Sequence, residues 1–342
     1  MTKSMRKSYL INFVAVAALF VVLMGLRAVG IIDNYYDGIL VLVCINIMLA
    51  VSLNLATGCL GQIALGHAGF MSIGAYTAAL VTKWLAMPVG MEYFGFLIGL
   101  LLGGLVAAVF GLAIGLPALR LKGDYLAIIT LGFGEIIRVV IENLSFTGGA
   151  QGLRGIPRLS TLPVAFIICV ISVFLLTTLM RSRHGRAILA IREDDIASGA
   201  SGIHNTYYKT LAFTVAAFFA GVAGGLYAHY ISVLGAKSFN FMRSIEILII
   251  VVLGGLGSFT GSIVSAVLLT ILPEQLREFA DYRMLIYSVA LIALMMFKPT
   301  GLFGIYEFSL TRAREYWKQV VKGERKLFRR KGTKSDREEG EG

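Results

Sequence analysis

"RSRHGRAILAIREDDIASGASGIHNTYYK", residues 181–209, is a long polar island in an apolar chain. Apolar runs at 162–180 and 210–230 flank it, each near the ~20 residues that cross about 30 Å of hydrocarbon. A charged stretch between two such runs is a loop joining two membrane crossings. That reading sets the class of the whole chain. Of 342 residues, 57% are hydrophobic and only 15% charged, too little polar surface for a water-soluble protein of this length.

Further runs bounded by polar, Gly or Pro residues fall at about 10–30, 38–57, 62–85, 94–117, 124–143, 162–180, 209–231, 245–257, 258–272 and 284–297. The first resembles a signal peptide, but Arg27 would sit in the cleavage region, so it reads as an uncleaved span. The segments 245–257 and 258–272 are too short to cross unless tilted or broken. The expectation is an all-α polytopic membrane protein of about ten transmembrane helices, some broken or re-entrant.

Charge orients the bundle. "TKSMRKS" (2–8), "RLKG" (120–123), the arginines of the central island and the tail from Arg312 are basic, and "DNYYD" (33–37) and "PEQLREFAD" (273–281) are not. The positive-inside rule then places both termini and the island in the cytoplasm. The expected organisation is a cytoplasmic N-terminus (1–9), a membrane domain (10–304) containing the 181–209 loop, and a basic cytoplasmic tail (305–342). The formal charge of +11 fits attraction to anionic lipid and not nucleic acid, because no basic soluble module is present. Cys44, Cys59 and Cys169 lie in or beside apolar runs and read as small packing residues.

Glycines four apart, Gly99 and Gly103, Gly111 and Gly115, Gly221 and Gly225, and Gly257 and Gly261, let helices approach closely. Two glycine-rich stretches look alike, "ATGCLGQIALGHAGF" (56–70) and "LGGLGSFTGSIVSA" (253–266). Each interrupts an apolar run near the inner face, and paired interruptions point to a transport path.

Glu135 and Arg138 are three apart on one helix face and can pair. Such a pair either locks helices together or serves transport. Glu246 opens another span and suits an interface. His67 reads as a hydrogen-bonded packing residue. Gln62, His67, Thr130, Glu135 and Arg138 are the candidates for the translocation path. The chain has no HExxH, GxSxG or GxxxxGK[ST] motif, so enzyme chemistry and ATP binding by a P-loop find no support. An ion-gradient carrier working through Glu135 remains a rival.

Within the island, "GRAILAIREDDIA" sets Ile188, Ile191 and Ile196 near one helix side, with Arg192, Glu193 and Asp195 on others. Asp194 and Asp195 suit the cap of a second short helix that Gly199 and Gly202 end. Acids beside the arginines argue for a soluble partner over pure lipid contact.

Four stretches in order carry a resemblance: "TGCLGQIALGHAGFMSIGAYTAAL", "GDYLAIITLGFGEIIRVVIENLSFTGGAQGLRGIP", "GRAILAIREDDIASGASGI" and "LAFTVAAFFAGVAGGLYAHY…LGGLGSFTG". Together with "KPTGLFG" (298–304) they resemble the LivM-type permease subunit of branched-chain amino acid ATP-binding-cassette importers. The resemblance implies a coupling loop that docks on an ATPase, carried by Gly185, Arg192, Glu193, Asp194, Asp195, Ala197 and Gly202. Gly61, Gln62, Gly66 and His67 match the family's glycine-rich turn. It also implies a LivH-like second permease, two ATPase subunits that bind ATP and Mg, a periplasmic substrate-binding protein and a bacterial inner-membrane location; the outer glycine-rich loop 145–157, opposite the inner charged one, is where that protein is expected to dock. No cofactor belongs to this chain itself. The expected function is import of leucine, isoleucine and valine into the cytoplasm; permeases of similar sequence carry urea or short amides, which stand as the alternative.

Overall fold

The computed structural model describes residues 3–30, 33–85, 88, 91–121, 123–276 and single positions between 282 and 304. Two compact units divide the chain, 1–23 with 308–342, and 24–307. The described part of the first is helical and belongs to α1 (Lys3–Ala28). The expected span at 284–297 falls mostly, and the basic tail wholly, outside the described residues.

Among the described residues the second unit is built of helices and has no strand. The order is α2 (Asn34–Asn54), α3 (His67–Leu85), α4 (Glu92–Ala118), α5 (Asp124–Asn143), α6 (Leu162–Arg181), α7 (Arg183–Glu193), α8 (Asp195–Ala200), α9 (Asn205–Ile231), α10 (Phe241–Gly254) and α11 (Phe259–Gln275). Four helical segments, 34–59, 92–118, 162–181 and 205–231, are long and apolar enough to cross a membrane. The first and last are mostly buried in the protein, whereas less than half of 92–118 and of 162–181 is buried. Apolar side chains such as Leu101, Val109 and Ile171 cover those outer helices, as lipid contact requires.

Helices meet where glycine lets them. A methyl group on Gly74 of α3 would strike the backbone of Gly221 in α9. One on Gly221 would lie 2.8 Å from the Gly103 carbonyl oxygen of α4, and one on Gly103 2.7 Å from that of Gly74. The three helices therefore share a backbone-to-backbone seam. Such seams hold helices together in lipid, where apolar side chains gain little by leaving the tails. Gly111 against Ala217 and Gly115 against Phe213 extend it along α4.

The run read as 62–85 begins differently. After α2 the chain makes one π-helical turn, Leu55–Cys59, and residues 61–66 are non-helical before α3 starts at His67. Gly61 turns the chain with φ +77°, a conformation open to glycine at little cost. The second interruption lies between α10 and α11, where Gly255 and Gly257 have φ of +110° and +91°. At 14 residues, α10 extends only about 21 Å, so it does not cross a bilayer alone. Leu302 of "KPTGLFG" donates its N–H to Leu253 O at 2.7 Å beside this break.

At the opposite end of α9 from α7 and α8, residues 145–157 form a folded loop. Its two 3₁₀ turns end at a bridge in which Leu153 and Leu234 exchange N–H···O bonds of 2.8 and 2.9 Å.

Candidate functional site

The two interruptions meet. Asn54, fully buried at the end of α2, accepts from Gly257 N–H at 2.8 Å and donates to Ser258 O and Ser262 Oγ, both at 2.9 Å. Gly58 packs directly against Asn54 and the Gly257 nitrogen, leaving no room for a side chain. One buried amide thus joins the break after α2 to the break before α11. A methyl group on Gly61 would lie 3.1 Å from Arg192 Cγ, and one on Gly257 2.6 Å from an Arg192 guanidinium nitrogen. Arg192 therefore lies against both breaks, held there by α7.

The polar island is built around its caps. Ser182 Oγ accepts from His184 and Gly185 N–H to start α7. Gly185 runs so close to the Met180 backbone that no Cβ fits, which folds α7 back under α6. Ile188 and Ile191 bury the inner stripe of α7. Asp194 ends it and caps α8, its Oδ1 accepting from Ile196 and Ala197 N–H at 2.8 and 2.9 Å. Gly202, at φ +86°, closes α8, with Gly202 N–H to Gly199 O and Ile203 N–H to Ser198 O. These are the two bonds of a glycine-terminated helix.

Asp195 straps the pair to α9. Its carboxylate accepts from Lys209 Nζ at 2.9 Å and from Asn205 Nδ2 at 2.8 Å. Of the expected coupling residues, Gly185, Asp194, Asp195 and Gly202 shape the island, Arg192 points at the breaks, and Glu193 and Ala197 are exposed. One expectation is overturned. Ile196 does not share the stripe of Ile188 and Ile191, because the cap at Asp194 ends α7 and rotates the chain. Ile196 stands 80% exposed on α8, an outward apolar side chain among polar neighbours. Arg192 likewise turns inward instead of lying free on the polar face.

The path candidates separate. His67 Nε2 hydrogen-bonds Ser52 Oγ at 2.9 Å in the core. Thr130 Oγ1 accepts from Leu65 N–H at 3.0 Å and donates to carbonyls of its own helix. Arg138 is bracketed by Glu135 at 2.7 Å and Glu142 at 2.8 Å. The other oxygen of Glu135 accepts the Phe241 N–H that starts α10 at 2.9 Å, so this carboxylate fastens α5 to α10. Gln62 differs, since its Oε1 is buried with no partner. Asn54 and Asn46, the latter bonded to Thr270 and Arg243, escaped the sequence reading. The signal was available, as each is a polar amide within an apolar run.

Helices of crossing length, breaks that meet inside the bundle and a polar helix pair at one end define a multi-pass membrane transport protein. The chain belongs to the family described as branched-chain amino acid transport system / permease component, whose model matches residues 35–298. Among its relatives is the high-affinity branched-chain amino acid transport system permease protein LivM of Salmonella typhimurium. It is 38% identical over 293 residues, covering 75% of this chain and 67% of the relative. LivM of Escherichia coli is 37% identical over 296 residues, covering 76% and 68%. The LivH permease protein of Salmonella typhimurium is 24% identical over 281 residues, covering 75% and 90%. No solved structure matches.

Proposed function

We propose that this chain is the LivM-like permease subunit of an ATP-binding-cassette importer in a bacterial inner membrane. It carries branched-chain amino acids, leucine, isoleucine and valine, into the cytoplasm. It works beside a LivH-like second permease and is itself no enzyme, because two partner ATPase subunits bind ATP and Mg and supply the energy. A periplasmic binding protein delivers substrate to the folded 145–157 loop. In this reading the bundle has about ten spans and cytoplasmic termini, and the basic tail rests on anionic lipid.

The observation that carries the coupling role is the α7–α8 pair. Its apolar stripe is buried, its ends are capped, and it offers Glu193, Ile196 and Ala197 outward. An ATPase docked there can move two things. Through Asp195, Lys209 and Asn205 it pulls on α9, and through Arg192 it presses on both helix breaks. The similarity of this chain to both LivM and LivH relatives supports a paired arrangement of two related permeases.

The reading is tested by gentle purification from native membrane with identification of the accompanying chains. An ATPase subunit present with the wild type and lost after Ile196→Asp supports the assignment. A chain that purifies with itself alone refutes it. Titrating the accompanying binding protein with leucine and with urea then separates the substrate classes.

A further inference from the structure

The segment Gly61–Gly66 is non-helical backbone inside a membrane bundle, and it is not sealed by its own protein. Ile63 is 45% exposed and Gly61 is open. The far end is held rigidly, because Gly66 sits against the Thr130 backbone and Leu65 N–H is bonded to Thr130 Oγ1. Thr130 is about 9 Å along α5 from its inner end, so the segment rises from the cytoplasmic side into hydrocarbon depth. Among the described residues, its hydrogen bonds are Gln62 N–H to Ala56 O, Leu65 N–H to Thr130 Oγ1 and Gly69 N–H to Gly66 O. The peptide groups of Ile63 and Ala64 take no part in them.

Lipid does not tolerate such backbone, since each unsatisfied group in hydrocarbon costs several kcal/mol. The exposed edge therefore faces water or bound polar groups. Beside it, Gln62 Oε1 is buried without a partner, an acceptor waiting for a donor. From these observations, and resting on the permease reading above, we infer that residues 61–63 form a substrate-contacting edge of the transport path for a zwitterionic α-amino acid. The non-helical Ile63 leaves its N–H and C=O without helix partners. One such pair matches an amino acid's carboxylate and ammonium, with Gln62 Oε1 as a second acceptor for the ammonium. Ile63 itself, and Ile129 exposed on the adjoining α5, offer apolar contact to an aliphatic side chain.

The test uses the full transporter in vesicles. Ile63→Cys is exposed to a charged, water-soluble thiol reagent with and without leucine, and Leu105→Cys on the apolar face of α4 serves as a lipid-facing control. The natural cysteines are buried, so background is low. Labelling of Ile63→Cys that leucine suppresses at least threefold, with Leu105→Cys unreactive, is the expected result. An unreactive Ile63→Cys means that the second permease seals this edge, and labelling indifferent to leucine means that water but not substrate reaches it. Either overturns the inference.

Gln62→Leu supplies a second readout. It removes an unpartnered buried oxygen, a change that leaves the fold neutral or better. It should raise KM for leucine about tenfold, equivalent to about 1.4 kcal/mol, and an unchanged KM overturns the role of Gln62. Wild-type vesicles assayed alongside keep the two readings apart. Absence of leucine uptake there refutes the permease reading, whereas uptake with an unreactive Ile63→Cys refutes only this edge.

Discussion

Asn54→Ala tests whether the two helix breaks act as one joined element. The side chain makes three hydrogen bonds from a fully buried position, one accepted from Gly257 N–H and two donated to Ser258 O and Ser262 Oγ. These losses differ in weight. Ser258 O keeps the Ser262 hydroxyl as a donor at 3.1 Å, so the two donated bonds forfeit about 1 kcal/mol each. Gly257 N–H has no substitute, and a stranded buried donor costs about 1–3 kcal/mol. The expected destabilisation is therefore about 3–5 kcal/mol, measured by denaturant titration of the purified complex in mixed micelles. Asn54→Asp should not rescue it, because the carboxylate keeps an acceptor for Gly257 but loses both donations and buries a charge. Wild-type stability for Asn54→Ala would refute the joined-break reasoning.

The other expectations follow from the same geometry. Arg192→Ala should leave ATPase subunits bound but lower leucine uptake at least tenfold relative to ATP hydrolysed, because the side chain packed against Gly61 and Gly257 is gone. Undiminished uptake per ATP would remove Arg192 from the transmission. Ile196→Asp places a charge where the structure offers an exposed apolar side chain, and it should weaken ATPase-subunit binding by tenfold or more, read by co-purification at graded partner concentration. Glu135→Gln keeps an oxygen for Phe241 N–H while Arg138 keeps Glu142. It should cost about 1 kcal/mol or less for a partly exposed pair and leave uptake intact, whereas a proton-coupled carrier would lose its uptake.

Much of this was legible in the residues. Apolar runs of crossing length placed α2, α4, α6 and α9, because their composition leaves them no other solvent. Asp194 as a cap and Gly202 as a terminator followed from local chemistry that needs no tertiary information. The break within 56–70 was legible as a glycine-rich interruption, but its bounds were not. The run read as a span over 62–85 stays non-helical as far as Gly66, where Leu65 N–H is taken by Thr130 Oγ1 and Gly61 is left-handed. Ile196 was misplaced because helical periodicity was carried through a cap that resets the phase. Arg192 was assigned outward, since nothing in the chain tells an arginine that two glycine turns distant in sequence will make room for it.

Uptake of radiolabelled leucine into proteoliposomes, with the ATPase partners and binding protein present, tests the importer reading most directly. Uptake that requires ATP on the ATPase side and continues when ionophores collapse every ion gradient is the expected result. Uptake that proceeds without ATP and stops with the gradients would contradict it, and would make this chain a gradient-driven carrier.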